Sequence, residues 1–178
     1  MNIAVFCASS HPHNTIHAQA ARQIGSHIAR RRHTLIYGGS NLGLMGEVSG
    51  AALAEGGQVM GVIPTLFSEE IIGSQPVSRL VRVDSMAERK SFILRESDLF
   101  IALPGGIGTL DEVSEVMVAN QLHQMQKPIL LLNQDGFYDA FLNQLSQMRA
   151  EGMLRTDGGL RVNTKAEEIM DFIDSLQA

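Results

Sequence analysis

Short apolar runs alternate along the chain with longer segments of helical periodicity. Within the runs, consecutive positions are apolar, which is typical of strands covered on both faces of a sheet. The runs predict six strands and a shorter seventh, at residues 3–8, 34–37, 58–63, 80–83, 99–103, 129–132 and 160–162. Between them, apolar residues three or four positions apart predict helices at residues 15–30, 44–55, 86–96, 110–124, 138–151 and 166–176.

Regular alternation of strand and helix is the pattern of βαβ units, which build a parallel sheet. Right-handed crossovers then place helices on both faces of that sheet. We therefore expect an α/β fold with a doubly wound parallel sheet of about six or seven strands. No composition shift, repeat or low-complexity segment divides the 178 residues, so we expect a single domain.

Charge and hydropathy narrow the possible partners. The net charge of −5 argues against non-specific nucleic-acid binding, which needs a basic surface. No apolar run approaches the roughly 20 residues that span a membrane, and the N-terminus lacks the basic segment of a signal peptide. We expect no nucleic-acid or membrane partner and a cytoplasmic location. Cys7 is the only cysteine, so an intrachain disulfide is impossible, and it reads as a small buried strand residue.

The segment Pro104-Gly105-Gly106-Ile107-Gly108-Thr109 joins a predicted strand to a predicted helix. Its glycines let backbone N–H groups approach an anion, and the helix start adds unpaired N–H groups and a positive dipole end. Thr109 can cap the helix or donate to a phosphate oxygen. The segment is neither a Walker A loop nor a GxGxxG dinucleotide motif. The alternative is a glycine-rich turn that binds nothing.

Ligands of open parallel sheets bind beyond the carboxyl ends of the strands. The fold therefore predicts that four segments share one rim: residues 8–10, 38–41, 84–85 and 104–109. The second of them begins another glycine-rich turn, which continues to Gly46. A glycine inside a predicted helix weakens it, so we expect close packing at Gly46. A ligand or a neighbouring strand could be the cause, and packing alone is the alternative.

Two cations lie on the helix stripe that should face the protein. Met86, Arg89, Lys90 and Ile93 occupy positions i, i+3, i+4 and i+7 of the predicted helix 86–96. Charges on a buried stripe need a partner. A bound phosphate or a neighbouring carboxylate would provide one.

Glu112 lies one turn into the helix after the glycine loop, on the same face as Thr109, Val113 and Val116. Carboxylates near a helix start are also favoured by the helix dipole alone. Cleavage of an N-glycosidic bond passes through an oxocarbenium-like sugar. That reaction needs a carboxylate to stabilise charge or activate water, a cation to hold a phosphate, and a donor for the leaving base. Glu112, Arg89 and the glycine loop fit the first two roles.

These motifs resemble the LOG family, cytokinin riboside 5′-monophosphate phosphoribohydrolases long labelled lysine-decarboxylase-like. The family motif PGGxGTxxE matches residues 104–112 at every fixed position, and the Glu-Arg-Lys signature matches Glu88-Arg89-Lys90. Residues 37–46 and 57–64 also follow the family pattern.

The resemblance implies that residues 1–178 form one Rossmann-like nucleotide-binding hydrolase domain that assembles as a homodimer. It implies hydrolysis of a nucleoside 5′-monophosphate to free base and ribose 5-phosphate, without a metal or organic cofactor. Arg89 and Glu112 become the expected catalytic pair. The implied substrate- and phosphate-binding residues are Glu70, Lys90, Gly105, Gly106, Ile107, Gly108, Thr109, Leu110 and Asp111. The Met-rich helical segment 113–125 offers apolar surface for the dimer.

Departures from the plant enzymes concern residues that shape the base pocket, with Ala8, Ser40 and Ala87 where those enzymes have Gly, Gly and His. We therefore expect AMP rather than an N6-prenylated AMP as substrate. A lysine decarboxylase would need a pyridoxal phosphate Schiff base, and none of the three lysines lies in such a motif. The alternative function is non-catalytic binding of a nucleotide or of molybdenum cofactor. Retention of both Arg89 and Glu112 favours the enzyme.

Overall fold

One parallel sheet organises the residues that the computed structural model describes, 1–67 and 77–176. Its strands are β1 (Asn2–Phe6), β2 (Thr34–Tyr37), β3 (Gln58–Pro64), β4 (Arg79–Val83), β5 (Leu99–Ala102), β6 (Ile129–Leu132) and β7 (Leu160–Asn163). They lie in the order β4-β3-β2-β1-β5-β6-β7, and every neighbouring pair is parallel. The predicted doubly wound sheet is confirmed, including its short seventh strand.

Helices cover both faces of the sheet. Those in the described residues are α1 (Thr15–Arg30), α2 (Gly43–Ala54), α3 (Met86–Glu96), α4 (Ile107–Gln121), α5 (Asp139–Ala150) and α6 (Ala166–Ser175). Alternate residues of each strand face opposite sides, and this produces two buried apolar clusters. Side chains of α1, α2 and α6 pack in one cluster, and those of α3, α4 and α5 pack in the other. Within the described ranges, no helix is long and apolar enough to cross a membrane.

A crevice forms where the chain leaves β1 and β5 in opposite directions. These strands are neighbours, with Phe6 opposite Ala102. The chain from β1 continues into α1 on one face, whereas the chain from β5 continues into α4 on the other. Such a reversal at the carboxyl ends is the usual ligand site of this fold class.

The structure corrects one expectation about the glycine-rich turns and decides another. Helix α4 begins at Ile107, three residues earlier than predicted, because the glycine loop itself supplies the N-cap, Gly106. At Gly46, packing within the turn alone accounts for the glycine. A Cβ at Gly46 would collide with the Asn41 carbonyl of the same turn, so the tight entry into α2 requires this glycine.

Candidate functional site

A cavity of about 310 Å³ lies at the carboxyl ends of β1 and β5. Its walls come from four segments that are distant in sequence. They are Cys7, Ala8, Ser9 and Ser10 after β1; Met45 in α2; Met86 and Arg89 in α3; and Gly106, Gly108, Thr109, Asp111 and Glu112 around the start of α4. The prediction that residues 8–10 and 104–109 share one rim is confirmed. The other two predicted segments, residues 38–41 and 84–85, are not among the residues that line the cavity.

A buried ion pair lies in the wall of this cavity. The Nη1 of Arg89 donates to Oε1 of Glu112 at 3.0 Å, and the two residues are only 6% and 5% exposed. The Nε of Arg89 also donates to the Val62 carbonyl at 3.0 Å, at the end of β3. The partner that the buried cation required is thus a neighbouring carboxylate.

Gly38 makes room for the Arg89 guanidinium. A Cβ at position 38 would collide with Nη2 of Arg89 and crowd the Met45 side chain. Gly38, the residue that follows β2, therefore leaves the space that the guanidinium of the ion pair occupies. This contact explains why residue 38 belongs to the site although it does not line the cavity.

Burial sets the protonation behaviour of two groups in the cavity wall. The pKa of Glu112 is raised above its ordinary value because burial penalises the charged form, although Arg89 opposes this effect. Burial also raises the pKa of the Cys7 thiol well above its ordinary range, so Cys7 remains a thiol. Cys7 is buried as predicted, although it lies one residue beyond the end of β1.

Lys90 clamps α3 against α4 instead of lining the cavity. Its Nζ lies 2.9 Å from Oδ2 of Asp111 and 3.0 Å from Oε2 of Glu115. Hydrogen bonds to Asp111 and then Glu115 raise the pKa of Lys90. The clamp holds together the two helices that supply Arg89 and Glu112.

Glu88 lies in the first turn of helix α3 and helps to cap it. The Ser85 hydroxyl accepts from the Glu88 N–H at 3.1 Å, and the Glu88 carboxylate accepts from the Asp84 N–H at 2.8 Å. This reciprocal capping fixes where the helix starts. The residues of the Glu-Arg-Lys signature therefore have three separate tasks: cap, buried cation and clamp.

The glycine loop presents an unobstructed helix start to the cavity. Helix geometry leaves the first-turn N–H groups of Ile107 and Gly108 without an intrahelical carbonyl. A Cβ at Gly106 or Gly108 would meet no atom within 4 Å, so packing does not demand either glycine. A Cβ at Gly105 would collide with the Thr109 side chain, so packing does demand that one. The two open glycines are those expected where a ligand approaches the backbone.

The proposed capping role of Thr109 is wrong. Gly106 is the N-cap and offers no side chain, while the Thr109 N–H donates to the Gly106 carbonyl at 3.0 Å. Thr109 is buried and lines the cavity, and the predicted shared face of Thr109, Glu112, Val113 and Val116 is buried throughout. The phosphate-donor alternative for Thr109 stays a prediction.

The remaining expected site residues lie in different places. Ile107 is 85% exposed at the helix start, and Leu110 packs against the apolar cluster on the α4 face of the sheet. Glu70 lies outside the described residues. In residues 1–67 and 77–176, no group of three or more His, Cys, Asp or Glu side chains is arranged to hold a metal ion.

Sequence reasoning placed Ser9 and Ser10 on the rim, but it did not predict that Met45 and Met86 line the cavity. The two serines are exposed hydroxyls after β1, and the two methionines supply apolar surface. Both methionines lie in predicted helices, where an apolar residue is expected to pack in the core rather than to line a cavity.

Removing one member of the buried ion pair should destabilise the protein more than removing both. Arg89→Met leaves Glu112 buried without its cation, so the free energy of unfolding should fall by about 3–5 kcal/mol. The double variant Arg89→Met/Glu112→Leu carries no buried charge and should regain most of that loss. Urea denaturation measures both values.

Lys90→Met is the matched control for this experiment. It removes a neighbouring cation whose partners Asp111 and Glu115 are more exposed. It should lose at most about 1 kcal/mol. A double variant no more stable than Arg89→Met alone would contradict the prediction.

Comparison with known proteins identifies relatives along most of the chain. The model of the family described as possible lysine decarboxylase matches residues 45–173. A probable cytokinin riboside 5′-monophosphate phosphoribohydrolase of Oryza sativa subsp. japonica is 41% identical over 174 residues, 97% of this chain and 82% of the relative. The cytokinin riboside 5′-monophosphate phosphoribohydrolase LOG of the same plant is 43% identical, over 87% of this chain and 64% of its own. The chain thus spans about two thirds of the length of that enzyme.

Solved structures share the whole fold. The molybdenum cofactor binding protein of Rippkaea orientalis superposes with a TM-score of 0.72 at 25% identity, covering 99% of this chain and 97% of its own. The molybdenum cofactor carrier protein of Chlamydomonas reinhardtii has a TM-score of 0.73 at 21% identity, with the same coverage. These likenesses extend to the entire sheet and its helices. They show the fold. The family model and the plant relatives establish that the chain belongs to the LOG family, the phosphoribohydrolases also described as possible lysine decarboxylases.

Proposed function

We propose that this protein hydrolyses the N-glycosidic bond of a nucleoside 5′-monophosphate, AMP or an N6-modified AMP such as a cytokinin riboside monophosphate. The products are the free base and ribose 5-phosphate. The observation that carries the proposal is the buried Glu112–Arg89 pair in a cavity that also holds an open helix start. The plant relatives, named for this reaction, support it.

The helix start is the best place for the 5′-phosphate. The N–H groups of Ile107 and Gly108 and the positive end of α4 favour an anion there. The Ser9 and Ser10 hydroxyls share the same cavity and can donate to phosphate oxygens. Arg89 and Lys90 are already paired with carboxylates, so neither is free to be the main phosphate ligand. In this assignment Arg89 acts on Glu112 rather than on the phosphate.

Glu112 is placed to act on the sugar. As the bond from C1′ to the base nitrogen breaks, its electron pair leaves with the base and positive charge develops on the ribose. A carboxylate in a water-poor wall stabilises that charge strongly. Water then adds its hydroxyl to C1′ and supplies a proton to the base, and Glu112 can orient that water. Burial raises the pKa of Glu112, and the adjacent Arg89 opposes this effect and so favours the ionised form.

The base lies in this scheme against the apolar side of the cavity, formed by Met45 and Met86. Flexible thioether side chains adapt to different ring surfaces. A pyridoxal phosphate reaction has no support in this cavity, since its described lining contains no lysine. Lys127 instead donates to the carbonyls of Leu94 and Arg95.

We propose that the protein acts as a homodimer in the cytoplasm, and that helix α4 contributes to the interface. Val118 and Leu122 form the exposed apolar surface that supports this proposal, since their side chains are 51% and 62% exposed. Met117, by contrast, is buried in the core. Methionines are therefore not the main apolar surface of this helix. Sedimentation velocity at micromolar concentration should give the mass of a dimer, and a monomer alone would refute the proposal.

The reaction should require the phosphate. With AMP, chromatography should show adenine and ribose 5-phosphate. Adenosine lacks the phosphate that two or more charged hydrogen bonds would hold. Its kcat/KM should therefore be at least roughly 100-fold lower than that of AMP. Equal rates for AMP and adenosine would contradict the phosphate site. AMP that is bound and returned unchanged would indicate a non-catalytic carrier of a nucleotide or of molybdenum cofactor.

Gly108→Ala should stabilise the fold but weaken the binding of the substrate. Alanine favours a helix over glycine by up to about 1 kcal/mol, and its Cβ meets no protein atom within 4 Å. The same methyl group would occupy the approach to the N–H groups of α4, so KM for AMP should rise about tenfold. Thermal unfolding and steady-state kinetics test the two effects separately.

Ser114→Ala is the matched control for this variant. Ser114 is exposed on α4 and does not line the cavity. The substitution should stabilise the helix slightly and leave KM unchanged. An unchanged KM in Gly108→Ala would contradict the proposal that the phosphate binds close to this part of the backbone.

A further inference from the structure

We infer that Tyr138 is a positioning residue for the anion-binding loop, through its hydrogen bond to the last carbonyl before that loop. This inference rests on the proposed function, because the loop matters only if a phosphate binds there. Tyr138 is 3% exposed and lies before α5, 35 positions from its partner. Its hydroxyl donates to the Leu103 carbonyl at 2.7 Å.

The sheet itself offers no partner to that carbonyl. Leu103 still donates its own N–H to the Phe6 carbonyl of β1 at 2.9 Å. On that side of the strand, the regular parallel ladder would pair the Leu103 carbonyl with the Ala8 N–H. That N–H donates instead to the Pro104 carbonyl at 3.3 Å. The Tyr138 hydroxyl therefore satisfies a carbonyl that the parallel ladder leaves behind, and an unsatisfied buried carbonyl is costly.

Tyr138 is itself held rigidly. Its backbone N–H donates to Oδ1 of Asn133 at 2.7 Å, and Nδ2 of Asn133 donates to Oδ1 of Asp139 at 2.8 Å. Its ring makes edge contacts with Phe137 and Phe141, at centroid distances of 4.9 and 6.3 Å. A side chain fixed at both ends can hold a loop in place rather than follow it.

Hydrogen bonds hold the carbonyls of two successive residues at the point where the chain enters the glycine loop. Tyr138 holds Leu103, and the Ala8 N–H donates to the Pro104 carbonyl at 3.3 Å. Pro104 has no N–H, and the next two residues are glycines without side chains to anchor them. These two bonds, together with a hydrogen bond between the Tyr138 hydroxyl and the Gly105 backbone, help to fix the position of the Ile107 and Gly108 N–H groups. Displacements well below 1 Å at such a site already weaken binding and rate.

Tyr138→Phe removes the hydroxyl alone, and Tyr37→Phe is the matched control. Tyr37 is the other tyrosine of the chain. It is equally buried, and its hydroxyl bonds to Ser49, outside the cavity lining. Both variants should lose similar thermal stability. Only Tyr138→Phe should raise KM for AMP and Kd for ribose 5-phosphate, each about tenfold, with kcat changed less than about threefold.

Kinetics with AMP and calorimetry with ribose 5-phosphate separate this inference from the proposed function. If wild type turns over AMP and Tyr138→Phe keeps its KM and Kd, the inference is overturned and the function stands. The inference is equally overturned if Tyr37→Phe raises KM as much, because the effect would then be general destabilisation. If wild type does not turn over AMP but Tyr138→Phe weakens ribose 5-phosphate binding, the inference survives and the proposed hydrolysis fails. Wild type that neither binds nor reacts overturns both.

Discussion

The buried ion pair between Arg89 and Glu112 is the constraint that organises the site. An ionised side chain in the interior is strongly destabilising unless its partner is held close, so α3 and α4 must pack in one register. Several neighbouring features follow from that demand. Gly38 leaves space for the guanidinium, the Val62 carbonyl accepts from its Nε, and the Lys90 clamp keeps the helices together.

The same arrangement separates two electrostatic tasks within one cavity. Backbone N–H groups at the start of α4 provide partial positive charge, which suits a phosphate. Glu112, one turn further along the same helix, provides negative charge where the sugar would become positive. One helix carries both groups, and the ion pair with Arg89 holds the Glu112 carboxylate in place, so their spacing is fixed. Pre-organised charge of this kind does not have to reorient as a reaction proceeds.

Sequence patterns predicted the sheet well because burial on both faces leaves a strong signal in the central strands β1, β2, β5 and β6. The edge strands β4 and β7 are largely exposed or half-buried, and the alternation of strands and helices placed them. The same logic exposed Arg89 and Lys90, since cations on an inward stripe demand partners. It could not choose between a phosphate and a carboxylate, because those partners come from another helix, α4. The start of α4 was misplaced because Gly106, a cap without a side chain, has no apolar periodicity to mark it. Contacts such as that of Tyr138 with Leu103 join distant segments and leave no local pattern.

The most direct test of the account is to remove the charge of Glu112 without changing its shape. Glu112→Gln keeps the reach and hydrogen bonding of the side chain but cannot stabilise a positive sugar. Single-turnover hydrolysis of AMP, measured alongside AMP binding by calorimetry, separates chemistry from affinity. The account predicts a rate at least about 100-fold lower with Kd nearly unchanged. A variant that hydrolyses AMP at the wild-type rate, or one that folds but no longer binds AMP, would contradict it.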